Sequence, residues 1–582
     1  MPGPIDVPPH LRKYVVRQNY GEYTVQDQAV WRFVLLQTHA RLLRTAHPSY
    51  ATGFDAVGIS VERIPNIDEM NERLERHAFQ AVCVDGFIPP RAFQTFQARG
   101  FLPIAADIRT SEHLAYTPAP DIIHEAAGHA PFLAHPEYAH YLRRIGAIGA
   151  KAFSSAHDRA VYDAIYLLSE LKENPATTAA QLARAEAEVA RLAANRDSPS
   201  EAALVARLYW WTVEYGLLGS PDDYRLYGAG LLSSLGEGHF CHRPEVQKRV
   251  LDADCIQTAY DITRPQPQLF VARDFEQLGL VLEDVARTLA HRIGGRVALT
   301  RARESGEPAC LDLDGGLQLA GVVDALHAEG DELELVVMSG PCAVASGDSV
   351  LPDWPRSDGY VLPLGFLDDG TSLSRLDPER TRARCDASQR LSLRLRSGVT
   401  ISGQWMGSRE SADHVGLVLL RDCEIARAGE LLVRSSAPYP LLLSERVLRA
   451  HADVPSGYHA ATAFADMQVP KARAFDDRQR EIIGLYERAL SALREGFGSA
   501  VVPRFEAIHR SLAERYPDEW LLRWNLLESW IKLGEGAALR TALEAELEQL
   551  EIRFAYREPI ATGLAYLRGL GGARALKQGG SR

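Results

Sequence analysis

His124 and His129 stand five residues apart in the run Asp121-Ile122-Ile123-His124-Glu125-Ala126-Ala127-Gly128-His129. Imidazole is the commonest neutral metal ligand and suits iron, zinc, copper and nickel. Zinc proteases use H-E-x-x-H, in which i and i+4 share one helix face. The spacing here is H-x4-H, so that motif is absent despite the His-Glu pair. On an ideal α-helix, side chains at i and i+5 point about 140° apart. They converge only where a helix starts or distorts, and Pro118 and Pro120 place a helix start close by. Glu214 supplies a carboxylate from a second segment. It is the one charge in a largely apolar stretch from Leu208 to Leu218. Such a group is expensive to bury unless it is paired or bound to metal. Two histidines and a carboxylate match the facial triad of non-haem Fe(II) oxygenases, which leaves positions open for O2 and cosubstrate. On spacing alone, the three also fit satisfied core histidines and a salt-bridged glutamate.

The elements that position these residues are legible as texture. Residues from about 10 to 295 read as a helix-rich block, with apolar residues at helical spacing from Gln26 to Leu43 and from Ser200 to Leu218. Pro and Gly turns punctuate it at 86–90 and 116–120. From 296 to about 440, short strand-like runs alternate with Gly, Asp and Ser turns. This stretch repeats itself at an offset of 82 residues. The run Gly316 to Gly321 is echoed by Gly398 to Gly403, Leu333 to Val337 by Val415 to Leu419, and Gly347 by Gly429. One shared offset predicts two similar small β units fused into one module. From 441 the pattern is helical again. Phe505 to Leu533 reads as an α-hairpin, with Trp520, Trp524 and Leu527 on one stripe. The small, polar and basic residues from Ala573 onward predict a disordered end.

Composition narrows the partners. The chain has 582 residues, 46% of them apolar and 24% charged, which is ordinary for a globular protein of several domains. A net charge of −12 speaks against nucleic acid as a general partner. The seven cysteines are scattered without a CxxC, so neither a disulfide framework nor a zinc knuckle is indicated, and a reducing cytoplasm fits best. The first residues carry no secretory apolar core, and no window is apolar for long enough to cross a membrane.

The run Tyr116 to Pro131 resembles the iron-site signature of the biopterin-dependent aromatic amino acid hydroxylases, roughly Y-T-P-x-P-D-x-x-H-E-x-x-G-H-x-P. The run Tyr209 to Leu217 is similar to the segment supplying that family's carboxylate ligand. Tyr227-Gly228-Ala229-Gly230-Leu231-Leu232-Ser233-Ser234 resembles a third signature, and the segments 11–31 and 260–275 are similar to the family's ends. The resemblance covers about residues 10–295 and implies a mainly α hydroxylase domain over 1–295, and the texture of the rest predicts a multidomain chain with a duplicated β module over 296–440 and a helical region over 441–582. It implies Fe(2+) on His124, His129 and Glu214, with a tetrahydropterin such as tetrahydrobiopterin and with O2 as cosubstrate. Arg109 would pair with the carboxylate of an aromatic amino acid, with Tyr116, Thr117 and Ser233 completing that site and Trp210 walling the ring. Gly86, Phe87, Ile88, Phe93 and Tyr209 would hold the pterin. Pro89-Pro90 stand where the family has hydroxyl residues, which removes a hydroxyl contact to the pterin. Glu125 would sit near metal and pterin without being a ligand, and Glu237 would support the metal ligands. Phenylalanine 4-hydroxylation is the expected reaction. Tryptophan, tyrosine or specialised ring hydroxylation is the alternative within the family. A regulatory scaffold on a degenerate hydroxylase domain, or a zinc hydrolase, is the alternative outside it. A homodimer through the C-terminal region is a further expectation.

Overall fold

The structure is a computed structural model. It describes residues 7–86, 88–111, 114, 120–173, 177–194, 198–262, 264–330, 332–411, 414–458, 475–495, 501–533, 537–553 and 557–579.

The long helix α1 (Val25–Thr45) starts on a capping box. The Thr24 side chain accepts from the Asp27 backbone N–H, and Asp27 answers the Thr24 backbone. Helix α1 is buried on opposite sides, with Trp31, Phe33, Val34 and Leu42 all in the main core. Strands β1 (Gln80–Val84) and β2 (Phe101–Ala105) pair in parallel, linked by helix α2 (Pro90–Ala98). Pro89 is the N-cap of α2 and Pro90 its first residue, so the Pro-Pro pair serves as a helix start. Helix α3 (Pro136–Lys151) packs on α2. Gly146 and Gly149 line that contact, where a Cβ would meet Gln94 and Ala98 at under 3 Å. Helices α4 (Glu201–Tyr209) and α5 (Ala229–Ser233) bring the carboxylate and the third signature to the same core.

After helix α6 (Gly295–Ser305) the sheets begin. Strands β3 (Pro308–Leu313), β4 (Gln318–Glu329) and β5 (Glu332–Ser346) form an antiparallel meander, and β6 (Ser357–Pro363) pairs back onto β5. Strands β7 (Arg390–Arg394), β8 (Val399–Ser411), β9 (His414–Arg427) and β10 (Tyr439–Leu442) repeat the pattern, with β10 on β9. The 82-residue echo is thus a repeat of strand order as well as of sequence. The units also exchange their ends. Strand β11 (Val447–His451) follows the second unit but pairs with β3 of the first, while Leu367, after the first unit, bridges to Leu395 beside β7. Both units share one apolar core that includes Leu311, Leu319, Leu335, Leu393, Ile401 and Leu417.

Helices α7 (Asp477–Glu495), α8 (Val502–Arg515), α9 (Trp520–Leu533), α10 (Ala537–Arg553) and α11 (Arg557–Gly579) follow. They join the core built around α1 rather than making one of their own. Phe33 of α1 meets Trp520 and Trp524 edge-on, at 5.1 and 4.8 Å between ring centres. Arg32 donates both Nη groups to the buried Glu528 carboxylate, at 3.0 and 3.1 Å. The α-hairpin expected over Phe505 to Leu533 is present as α8 and α9. The disordered end expected from Ala573 is not, because α11 runs to Gly579. Ala573, Arg574, Ala575, Leu576, Lys577 and Gln578 are all good helix formers and simply prolong the helix. Among the described residues, no helix is long and apolar enough to cross a membrane.

Candidate active site

Both ligand segments leave α-helical geometry where the ligands sit. Residues Ile123–His129 form a π-helical turn, closed where the Ala130 N–H donates to Glu125 O. Residues Trp210–Glu214 form a second, closed where the Tyr215 N–H donates to Trp210 O at 2.9 Å. A π turn bonds i to i+5, so it brings positions i and i+5 one above the other. That is the distortion which the H-x4-H spacing demands.

The result is a tight cluster. His124 Nε2 lies 3.2 Å from His129 Nε2 and 3.2 Å from Glu214 Oε2, and His129 Nε2 lies 3.3 Å from Glu214 Oε1. Ligand atoms about 2.1 Å from one ion, at right angles, stand about 3 Å apart. The donor set and spacing therefore fit a mononuclear ferrous ion. His129 is fully buried, and His124 and Glu214 are nearly so, with side chains 14% and 12% exposed.

Electrostatics say what the cluster wants. Burial alone would push the His124 imidazole down, but the Glu214 carboxylate outweighs it and raises His124 to about 9. Burial would likewise raise Glu214, yet His129 and His124 hold it well below the usual carboxylate range. The field that retains a proton between these atoms is one a divalent cation meets better. Tautomer is set from behind. The Ser233 hydroxyl donates to Ala229 O at 2.8 Å, so it is an acceptor toward His124 Nδ1 at 3.1 Å. A protonated Nδ1 leaves the Nε2 lone pair facing the cluster.

Asp121 roots the first π turn. It accepts from the His124 backbone N–H at 3.0 Å, and from the Arg109 N–H, Nε and Nη2 at 3.0, 2.8 and 2.7 Å. Burial opposes its ionisation, but Arg109 holds the carboxyl below its ordinary range. The planar fork of Arg109 is therefore engaged by Asp121. Asp121 lies inside the signature, yet sequence reasoning passed over it. The available signal was an acid three residues before a ligand at a helix start, which is an N-capping position.

The remaining expected residues fall around this centre. Glu125 is buried, its Oε2 without a hydrogen-bond partner and 3.7 Å from His129 Nε2. Burial raises its carboxyl. Glu237 opens the short helix after Ser233. Burial raises its carboxyl to about 7 against a bond from Tyr215, and Oε1 has no partner. Trp210 stacks on Tyr260 at 4.3 Å and 11°, and on Tyr215 at 4.6 Å and 30°. The two tyrosines were not anticipated as its neighbours. Phe93, expected in the Gly86 loop, lies in helix α2. Tyr209 accepts from Gln97 Nε2 of that helix at 2.6 Å and packs edge-on against Phe93 at 6.1 Å, which ties α2 to the carboxylate segment. Gly86 has φ +60, and the position of a Cβ there is open space. Ile88 is buried and Phe93 half-buried in a small apolar cluster with Val84 and Phe96. Phe87, Tyr116 and Thr117 lie outside the described residues.

The sequence profile described as biopterin-dependent aromatic amino acid hydroxylase matches residues 14–166 and 175–297. The chain is 30% identical over 268 residues to a phenylalanine-4-hydroxylase of Ralstonia nicotianae, covering 46% of this chain and 72% of that one. It is 27% identical over 285 residues to a phenylalanine-4-hydroxylase of Pseudomonas aeruginosa, covering 48% and 92%. A crystal structure of Chromobacterium violaceum phenylalanine hydroxylase, with bound iron(III) and 7,8-dihydrobiopterin, is 26% identical. It covers 47% of this chain and 86% of that one, with a TM-score of 0.38.

Proposed function

Because the chain belongs to the biopterin-dependent aromatic amino acid hydroxylase family, we propose that it converts L-phenylalanine to L-tyrosine with O2 and a tetrahydropterin. The observation that carries the reading is the meeting of His124, His129 and Glu214 within 3.3 Å, produced by two π-helical turns. These three residues hold ferrous iron. When bound, ferrous iron and tetrahydropterin together supply the reductive activation of O2. The protein's own work is orientation and exclusion of water. Ser233 fixes the His124 tautomer, and Asp121 anchors both the π turn and Arg109. Arg109 meets the substrate carboxylate, in a site shared with Tyr116 and Thr117, while Trp210 walls the ring. Gly86, Ile88, Phe93 and Tyr209 hold the pterin, with Glu125 and Glu237 as supporting acids.

The organisation we propose has a hydroxylase domain over 1–295, a duplicated β module that starts at 296 and runs past the expected boundary at 440 to include β11 (Val447–His451), and a helical region after it, in a cytoplasmic protein that pairs through its C-terminal region. Packing of α9 on α1 supports a bracing role for that region within one chain as well. The test is incubation of the iron-loaded chain with tetrahydropterin and each aromatic amino acid, followed by product identification. Tyrosine from phenylalanine is expected. A hydroxylated tryptophan or tyrosine instead would move the substrate within the family, and no hydroxylated product from any of them would overturn the reading.

A further inference from the structure

A second group of metal-ligating side chains lies on the sheets, at their contact with the hydroxylase block. The donor atoms of Cys310, Asp312 and His451 all lie within 4.8 Å of one another. Cys310 and Asp312 are alternate residues of β3, so they share one face of the strand. His451 is the direct cross-strand partner of Cys310 on β11. The other face of β3 supplies Ala309, Leu311 and Leu313 to the apolar core of the sheets, and Cys310 is not part of that core. The thiol is thus fully buried, yet turned toward polar groups. The cross-strand partner of Cys310 on β4 is the buried Ala320, so the thiol sits where a small apolar cluster meets these polar groups.

Three further observations point to a cation. His451 is 3% exposed, its Nε2 lies 3.7 Å from Asp312 Oδ1, and its Nδ1 has no hydrogen-bond partner. Asp348 and Asp453 lie within electrostatic reach of Cys310, the Gln318 amide bridges Asp312 and Asp348 at 2.8 and 2.9 Å, and Lys151 and Arg99 are the cations near the acids. The duplication provides an internal control. At the corresponding positions of the second unit β7 carries Ser392 and Arg394, so the fold of the unit does not call for Cys and Asp there.

We propose that Cys310, Asp312 and His451 bind a divalent zinc ion, with a carboxylate of Asp453 or Asp348 or a water in the fourth position. Thiolate, imidazole and carboxylate form a zinc donor set, and ligand atoms around tetrahedral zinc stand about 3.5 Å apart. Side-chain rotation is enough to close the remaining distance. Binding releases the thiol proton to solvent, as metal capture by a cysteine requires. The site is structural. It ties β3 to β11 beside the point where the Ala452 N–H donates to Lys151 O at 3.1 Å, at the end of α3. It is distinct in chemistry from the His124 cluster, which holds nitrogen and oxygen donors only.

Cobalt(II) tests this directly, because thiolate-bound cobalt shows a near-ultraviolet charge-transfer band that nitrogen and oxygen ligands do not give. The metal-free full-length chain carrying His124→Ala, which disables the other site, is titrated with cobalt(II) and then with zinc(II). We expect the band to saturate at one cobalt per chain and zinc to displace it. Cys310→Ser should abolish the band. Asp312→Asn, at a partly exposed position that tolerates an amide, should weaken cobalt binding at least tenfold. Absence of the band in the parent chain would overturn the proposal, as would its persistence in Cys310→Ser or unchanged affinity in Asp312→Asn.

Discussion

Around His124, buried polar atoms go without partners, whereas in the duplicated sheets comparable atoms are met. Glu125 Oε2, His129 Nδ1, Trp210 Nε1 and Glu237 Oε1 are all buried with no hydrogen bond. In the sheets, Tyr360 donates to Pro440 O and accepts from the Leu442 N–H, while Tyr439 donates to Val361 O and accepts from the Val361 N–H. The two rings stack at 5.0 Å and 15°. An unsatisfied buried group lowers stability by about 1–3 kcal/mol, so a cluster of them is retained where a ligand will complete it. In the sheets such atoms are scattered, Ser397 Oγ and His451 Nδ1 among them, and each unit lends its end to the other. His451, whose Nδ1 is one of them, is also a residue of the proposed zinc site.

The contrast can be broken or sharpened at five points. Deleting Ala127 would turn H-x4-H into the spacing of an α-helix, and should abolish both iron retention and turnover. Iron per chain after desalting reads this, and one retained iron would show that the π turn is dispensable. Asp121→Ala leaves Arg109 buried without its partner and should lower unfolding stability by about 3–5 kcal/mol. Denaturant unfolding measures it, and a loss under 1 kcal/mol would remove Asp121 from its anchoring role. Ser233→Ala frees His124 Nδ1 and should weaken iron affinity by roughly 10–100-fold, with global stability little changed. Competition against a chelator gives the ratio. Tyr360→Phe should do the reverse, lowering stability by about 1–3 kcal/mol through the unpaired Leu442 N–H while leaving turnover untouched. The smallest effect is a slope. Burial raises Glu237 to about 7, so the fold favours its protonated form. The stability this confers is complete below the ordinary value of 4.5 and is lost as pH climbs through about 7. Glu237→Gln should flatten that part of the melting temperature's pH profile, and an unchanged profile would contradict the assignment.

Residue type and spacing were enough to pick out the three side chains that cluster, because a charge in an apolar stretch and two imidazoles near a helix start are local signals. The repeat was legible for the same reason, since one offset recurs in segments that proved to be corresponding strands. What sequence did not reveal is non-local. The first π turn packs through Gly128, where a Cβ would stand 2.8 Å from Ala229 O, and the second packs on Gly228, where a Cβ would stand 2.5 Å from Glu214 O. Strand exchange between the units rests on Val447 meeting Leu313 across the module. The helices after Asp477 showed only an apolar stripe at Trp520 and Trp524, and the stripe does not say that Phe33, nearly five hundred residues earlier, is its partner.

The central claim is that two π-helical turns gather two imidazoles and one carboxylate around a single ferrous ion. X-ray absorption at the iron edge, on the anaerobically loaded chain and on Glu214→Ala, tests it most directly. The account predicts one iron per chain with nitrogen and oxygen neighbours only, and loss of that iron in Glu214→Ala. A sulfur neighbour, or an iron environment unchanged by the substitution, would contradict it.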